Sequence, residues 1–589
     1  MWNLSYIRIG KPFLIAAWLA MPLALLCQEP AAVQRRAVIG KYCAGCHNPQ
    51  LKSGGLALKD IDTANLSANL GTWERVLRQV GSGQMPPAKL PRPDAATSSA
   101  FKRELTNALD RHAAANPNPG GTMPHRLNRA EYNNAVRDLL AVDTKPGELF
   151  PVDESGDGFD NIADLLSMSP ALLERYISAA RSISRLAVGD LNRKPEAEVY
   201  KGGRGGKYLP DPDELPLGAS GGMAFRHYFP LDAEYEIRIA AGRGVDGEAP
   251  PADYVVRAPL KAGLQAITAT YLGTATKAEA GMRNASRRPF AAGGTGMRPR
   301  PSELDLRLAG VSLKRFEVPG DPPPEINRVI VDGPFNVSGR GNTPSREKIF
   351  VCHPATPNDD VPCATQILSS LARRAFRRPV TDADLRPLLR FYSNRRQAGA
   401  DFDDGIAGAI EAILVSPDFL FRIERNPKGA APGSVHRLNG YELASRLSFF
   451  LWSSTPDGEL LKLADGGKLN DPAVVKAQLK RMIADPKSDA LIRNFGGQWL
   501  FLRTLANAKP DVEIFSTFDD SLRNAFQRET ELFLASVFRN GGSVLELLDA
   551  NYTFLNQRLA EHYGIPNVYG SHFRRVDLTD PARGGLLGQ

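Results

Sequence analysis

The stretch YCAGCHNPQ, residues 42–50, sets two thiols and an imidazole in the order Cys43–x–x–Cys46–His47. Three chemistries use such groups at such spacing: covalent haem attachment, zinc binding and thiol–disulfide exchange. Zinc would need two more Cys or His ligands at finger spacing, and the next histidine along the chain is His112. An exchange site of thioredoxin type sits in a βαβ pattern, whereas EPAAVQRRAVIGKYCAGCH reads as a helix running into the motif. Haem c fits directly. Two thiols on adjacent turns reach its two vinyl groups, and the next residue, His47, lies under the iron as proximal ligand.

A second iron ligand is expected downstream. GSGQMPPAKLP places Met85 38 residues after His47, and thioether plus imidazole is an electron-transfer ligation that raises the reduction potential. Pro86 and Pro87 hold that loop extended and stiff. Between the ligands, TWERVLRQVGSG sets Trp73, Leu77 and Val80 on one helical face suited to covering a haem edge.

Other stretches carry weaker chemical signals. Cys352 and Cys363, in VCHPATPNDDVPC, most simply form a disulfide in an oxidising compartment; zinc with His353 lacks a fourth ligand nearby. FPVDESGDGFDN places Asp153, Ser155 and Asp157 as in the start of a calcium loop, with Asp164 at the twelfth position. That position normally holds Glu, and Asp160 takes a slot normally apolar, so an acidic turn before a helix is the first reading and calcium the second. Arg373, Arg374, Arg377 and Arg378 form a basic stripe, read first as a surface helix and second as a dock for an acidic partner. HRLNRAE and HRLNGYE each put Asn (Asn128, Asn439) three residues before Glu (Glu131, Glu442), the pattern of a capping box opening a helix. His125 and His436 just before them read as packing or capping residues rather than ligands.

The elements that must position these groups follow from texture. At 589 residues the chain is too long for one core. A composition of 42% hydrophobic and 23% charged residues is that of a folded protein. The net charge of +8 is mild, and with no dense Lys/Arg run nucleic acid is not an expected partner. Residues 1–28 read as an export signal: Arg8 and Lys11, then an apolar run broken by Pro22. Cys27 ends the run, but Leu26 precedes it where a lipidation signal carries a small residue. The mature chain has no other stretch of membrane-spanning character, so it is expected to be exported, to the periplasm or cell surface.

The expected fold is multidomain and mainly α. A class I-like cytochrome c domain (33–116) is followed by a helical domain (121–192), with NPNPGGTMP as the linker between them. A β-sandwich of jelly-roll type is inserted at 196–320, where alternating runs such as AEYEIRIAAG and SELDLRLAGVSLKRFEV lie between Gly/Pro turns. A connecting segment and helical domain (326–428), a further helical domain (432–560) and the start of another (561–589) complete the chain. Tyr200, Tyr208, His227 and Tyr228 offer aromatics for a polysaccharide ligand, or are ordinary core residues.

Residues 39–115 resemble the planctomycete-type cytochrome c domain, through CAGCH, WERVLRQVGSGQMPP and the Gly54–Gly55 turn. Later blocks, among them HRLNRAEYNNAVRDLL, GFDN, RRAFRRPVTDADL and RLNGYELASRLSFFLW, resemble the domains of unknown function that accompany it in large exported bacterial proteins. The resemblance implies one covalent haem c and electron transfer at the cell envelope, with no established substrate. It also implies that the chain stops mid-domain at RGGLLGQ. The expected function is therefore an exported monohaem cytochrome passing one electron between redox protein partners. Two other readings stand beside it: a haem-relay oxidoreductase acting on an extracellular polymer, and a glycan-binding scaffold with a haem sensor.

Overall fold

The computed structural model describes residues 31–120, 123–202, 219–241, 254–272, 302–318, 326–431, 434–511, 513–515, 518 and 520–589. The export signal, Cys27 and Tyr208 lie outside them. The chain divides into two compact units, one made by residues up to 121 with 429–436, the other by 122–428 and 437–589.

Three helices build the first unit: α1 (Ala31–Tyr42), α2 (Leu70–Gly81) and α3 (Ala95–Ala115). Asp94 caps α3 by accepting from Thr97 N–H. Ile39, Leu58, Leu66, Trp73, Val76, Phe101 and Leu105 form its core. Arg35, buried beneath them, donates to the Thr63 carbonyl and pairs with Glu104, tying α1 to α3.

The second unit opens with a short strand β1 (His125–Arg126) and two helices, α4 (Arg129–Leu140) and α5 (Pro170–Val188). The capping box at α4 is formed: Asn128 accepts from Glu131 N–H while Glu131 accepts from Asn128 N–H. Ser169 caps α5, with Pro170 in its first turn. Tyr132, Phe150, Tyr176 and Phe419 pack ring to ring at the centre of the helical core.

Eight strands then form a two-sheet sandwich: β2 (Glu196–Lys201), β3 (Ala219–Phe229), β4 (Asp232–Ala241), β5 (Tyr254–Leu260), β6 (Gly263–Leu272), β7 (Ser302–Leu308), β8 (Val311–Val318) and β9 (Ile326–Gly339). One sheet runs β2-β9-β4-β5 and the other β3-β6-β7-β8, every pair antiparallel. The order keeps the β4–β5 and β7–β8 hairpins within a sheet, so the sandwich is not a jelly roll. Its core strand β9 falls where a connecting segment was expected, beyond residue 320. At Gly333 (φ 146) an added Cβ would press on the Tyr235 ring, which explains a glycine inside a buried strand.

Helices return at Asp360–Phe376, Asp382–Gln397, Phe402–Leu414 and Gly440–Trp452. β10 (Phe421–Arg422) pairs with β1, and β11 (Tyr552–Leu555) pairs with β12 (Arg574–Asp577). The last pair crosses the expected boundary at 560, and Leu522, Leu555, Leu559 and Val568 share one core, so 561–589 folds with the preceding residues.

The expectation of a mainly α protein is therefore corrected. The chain is about 50% helical and 17% strand, a multidomain mixture with several antiparallel sheets. No helix among the described residues is long and apolar enough to cross a membrane.

Candidate cofactor-binding site

The helix α1 delivers the Cys–x–x–Cys–His turn. Cys43 N–H still donates to Ile39 O (2.9 Å), continuing the helical pattern, and Cys46 and His47 N–H both donate back to Cys43 O (3.2 and 3.0 Å). These bonds put both thiols and the imidazole on one tight turn. His47 O accepts from Leu58 N–H at 2.7 Å and Lys59 N–H at 3.2 Å, pinning the turn to the segment that follows. Gly54 and Gly55, with φ 63° and 72°, carry the chain around the turn in a conformation other residues resist.

Facing this turn is α2. It buries Trp73 and Val76, while Val76, Gln79 and Val80 line a cavity shared with Tyr42, Cys43, Cys46 and His47. The helix ends at Gly81, and the loop beyond it returns so that Met85 N–H donates to Gln79 O at 3.1 Å. Arg92 holds the same loop by donating to Gly83 O at 3.0 Å. Met85, 37% exposed, and Pro86, Pro87 and Leu90 complete the wall. The four residues singled out from sequence as haem ligands or tethers thus converge on one cavity of about 410 Å³, within the ~300–1,000 Å³ usual for small-molecule sites.

The chemistry of the lining suits a large, mostly apolar group. Ser53, Arg75 and Gln79 are polar islands in a wall of Leu56, Leu58, Val76, Val80 and Leu90. The two cysteines are not bonded to each other. Burial pushes the Cys43 thiol up to about 11, the opposite of the depressed pKa that makes an exchange thiol reactive. Two buried nitrogens, His47 Nδ1 and Trp73 Nε1, have no hydrogen-bond partner in the protein. Unsatisfied buried polar atoms are rare in native proteins, and that of His47, which lines the cavity, fits a site whose polar contacts come partly from a bound group. Two thiols and an imidazole are the groups that would tether haem c and ligate its iron, a thioether is one second ligand such iron takes, and the residues present fit that set.

Sequence patterning set Trp73, Leu77 and Val80 toward the cavity. In the structure Val80 does line the cavity, while Trp73 and Leu77 belong to the core and Arg75, Val76 and Gln79 share the wall. An i, i+3, i+4 reading started at Val76 finds Gln79 and Val80 on the same face.

The remaining predicted residues fall in the second unit. Cys352 and Cys363 form a disulfide with Cα atoms 6.0 Å apart. Asp153 serves the fold: its carboxylate accepts from buried Arg126 (2.7 Å) and from Arg129 N–H at the start of α4 (2.8 Å). That leaves the 153–164 loop without its first calcium ligand, and Gly156 and Phe159 pair as a tight turn instead. Neither Ser155, Asp157 nor Asp164 joins it in a cluster: among the described residues no three His, Cys, Asp or Glu side chains gather to hold a metal ion.

The basic stripe is not a surface dock. Arg377 is buried and donates to four main-chain carbonyls, Ala375, Phe419, Asp418 and Phe421, at 3.0, 3.1, 2.6 and 2.7 Å. Arg378 pairs with Asp384 and Asp418, and Arg373 with Asp465. Of the aromatics offered for glycan contact, Tyr200 and His227 are buried and hydrogen-bonded to each other (2.9 Å), and Tyr228 packs against the helical core.

Three protein-family models match the chain, each described as a protein of unknown function: DUF1587 at residues 125–189, DUF1595 at 363–424 and DUF1592 at 438–565. No curated protein and no solved structure matches it. All three matches fall within the second unit. The chain thus carries three domains of unknown function in the pattern that accompanies the planctomycete-type cytochrome c family.

Proposed function

We propose that residues 31–120 bind one haem c, and that the protein is an exported one-electron carrier of the cell envelope. The observation that carries this reading is the convergence of Cys43, Cys46, His47 and Met85 on one apolar cavity, although Met85 lies 38 residues from His47. Cys43 and Cys46 would tether the haem, and His47 and Met85 would ligate its iron. When bound, haem c supplies a one-electron couple.

The protein's own residues do the rest. The hydrogen bonds to His47 O fix the imidazole-bearing turn. The Met85 N–H bond to Gln79 fixes the thioether loop, so both side chains would be pre-positioned to hold the iron. Leu56, Leu58, Val76 and Val80 make the cavity wall apolar, which would favour the less charged, reduced state of a bound centre. The Cys352–Cys363 disulfide supports an oxidising compartment, as covalent haem attachment outside the cytoplasm requires.

The test is intact mass and absorption after expression with the haem c maturation machinery. The wild-type chain is expected to gain the mass of one haem, and a Cys43→Ala/Cys46→Ala chain to gain none. An unmodified wild-type chain would overturn the reading.

A further inference from the structure

Another pocket, of about 80 Å³, lies wholly within the second unit. One wall comes from the start of α4 and the loop beyond it, through Asn128, Glu131 and Phe159–Asn161. The other comes from the end of the helix Gly440–Trp452 and from the stretch 491–498. The two walls belong to two different matched domains, and domain junctions are a preferred place for ligand sites.

The buried lining is largely polar. Asn128, Glu131, Ser453 and Gln498 are all buried there. Asn128 Nδ2 donates to Asp160 Oδ1 (3.0 Å), and Gln498 Oε1 accepts from Asp160 N–H (2.7 Å). Gln498 Nε2 donates to Asn494 O (2.8 Å), and Asn494 Nδ2 to Ser453 Oγ (2.9 Å). The network fixes these groups, and each accepting oxygen keeps a second lone pair. Charge is balanced: Asp160 pairs with Arg503 (2.6 Å), Glu131 with Arg422 (3.4 Å), and no Lys or Arg lines the pocket.

The exposed side is aromatic. Phe159, Phe495 and Trp499 follow one another with ring planes 20° apart at each step and centroids at 6.1 and 5.7 Å. Phe450 is 64% exposed, Trp499 42% and Phe495 39%. Phe501 stands beside Gly158, next to Phe159. Three of the five exposed phenylalanines among the described residues thus gather here, a patch rather than a scatter. The backbone is unusual on both sides. Leu491–Gly496 is a π-helix, and Ser453 (φ 47°) and Phe501 (φ 56°) are left-handed without being glycine. Both features concentrate at functional sites.

We infer that this pocket and its aromatic border bind a neutral polysaccharide. A sugar ring presents apolar C–H faces and a hydroxyl edge. The faces suit the aromatic border, and the hydroxyls suit the spare lone pairs inside. The pocket has room for on the order of six waters, the space of one sugar unit. An apolar protein side chain placed there would strip water from the polar lining without replacing its hydrogen bonds. An acidic polymer would find no cation in the lining.

The test is calorimetric titration of the full chain with mixed-linkage β-glucan, xylan, galactomannan and dextran, and with polygalacturonate as the acidic counterpart. Wild type is compared with Trp499→Ala, Phe450→Ala and Asn161→Ala, whose side chains border the pocket. Phe391→Ala, exposed on the helix Asp382–Gln397, is the control. At least one neutral polymer is expected to bind equally at low and physiological salt. Either aromatic variant should weaken it about tenfold, Asn161→Ala about fivefold, and Phe391→Ala not at all. Urea midpoints matching wild type show that each loss reads the site and not the fold.

No binding of any neutral polymer, or binding that the three site variants leave intact, would overturn the inference. So would preferential, salt-sensitive binding of polygalacturonate. Self-association in sedimentation that Phe450→Ala abolishes, without polymer binding, would mark the patch as a protein interface and overturn it too. None of these readouts needs haem, so their failure leaves the electron-carrier reading to its own test.

Discussion

Replacing Arg377 by Met removes a buried guanidinium that four carbonyl oxygens share. Each hydrogen bond from a charged donor is worth roughly 1.5–3 kcal/mol, and each buried carbonyl left unpaired costs about 1–3 kcal/mol. These terms do not add. The variant also escapes the desolvation of a buried cation, which is several kcal/mol and here pushes the Arg377 pKa down to about 10. Met refills part of the volume against Phe449, over whose ring the guanidinium lies at 5.7 Å. The balance predicts a loss of about 3–5 kcal/mol, the usual result of breaking a buried charged network from one side. Arg373, one helical turn away, pairs with Asp465 at the surface, so Arg373→Met should cost no more than about 1 kcal/mol. Arg377→Lys should not rescue, because one ammonium cannot reach four carbonyls in different directions. The assay is urea unfolding followed by tryptophan fluorescence, with buried Trp452 reporting on the second unit. Equal midpoints for Arg377→Met and Arg373→Met would refute the reasoning.

Other predictions follow from the same geometry. Asn128 and Asn439 both close capping boxes, but Asn128 is buried and also donates to Asp160 at 3.0 Å. Asn439→Ala should therefore cost about 1 kcal/mol and Asn128→Ala clearly more, read by urea midpoints. Burial raises the pKa of Glu529, which accepts from Thr553 (2.5 Å) and Tyr563 (2.7 Å). A carboxyl raised in the folded state contributes stability that is full below its unfolded value, about 4.3, and is lost as pH rises through the folded value. Glu529→Gln should flatten that loss between pH 4 and 8 and be the more stable chain at the upper end. Removing the Cys352–Cys363 link, which spans 11 positions, should cost about 3 kcal/mol by loop entropy, measured by comparing the Cys352→Ala/Cys363→Ala chain with wild type.

Local signals were legible where one short pattern has one physical use. The Cys43–Cys46–His47 spacing and the paired capping boxes could be read without any tertiary context. Alternating strands such as β4 were equally plain, because each second residue is buried. Features set by distant partners were not. β9 contains the sequence Asp332–Gly333–Pro334, which reads as a turn, yet it is held between β2 and β4 as a central strand. The arginine stripe looked solvated because arginines usually are. Only the return of Asp418–Phe421 beside the helix end supplies the carbonyls that make burying Arg377 tolerable. Asp153 shows the same limit: its spacing suggested calcium, and its partner Arg126 lies 27 residues away. In the cavity, Cys43, Cys46, His47 and Met85 were visible as chemistry-bearing residues, whereas Arg75 and Gln79 carry no motif and show only once α2 is seen packed against the turn.

The most direct test of the account is an optical redox titration of the haem-loaded wild-type chain against Met85→Ala. The account predicts a sharp low-spin reduced spectrum and a positive potential in wild type, with a lower potential in the variant because the thioether favours the reduced iron. Identical spectra and potentials in the two chains would contradict it, since Met85 would then not be the iron ligand on which the carrier function depends.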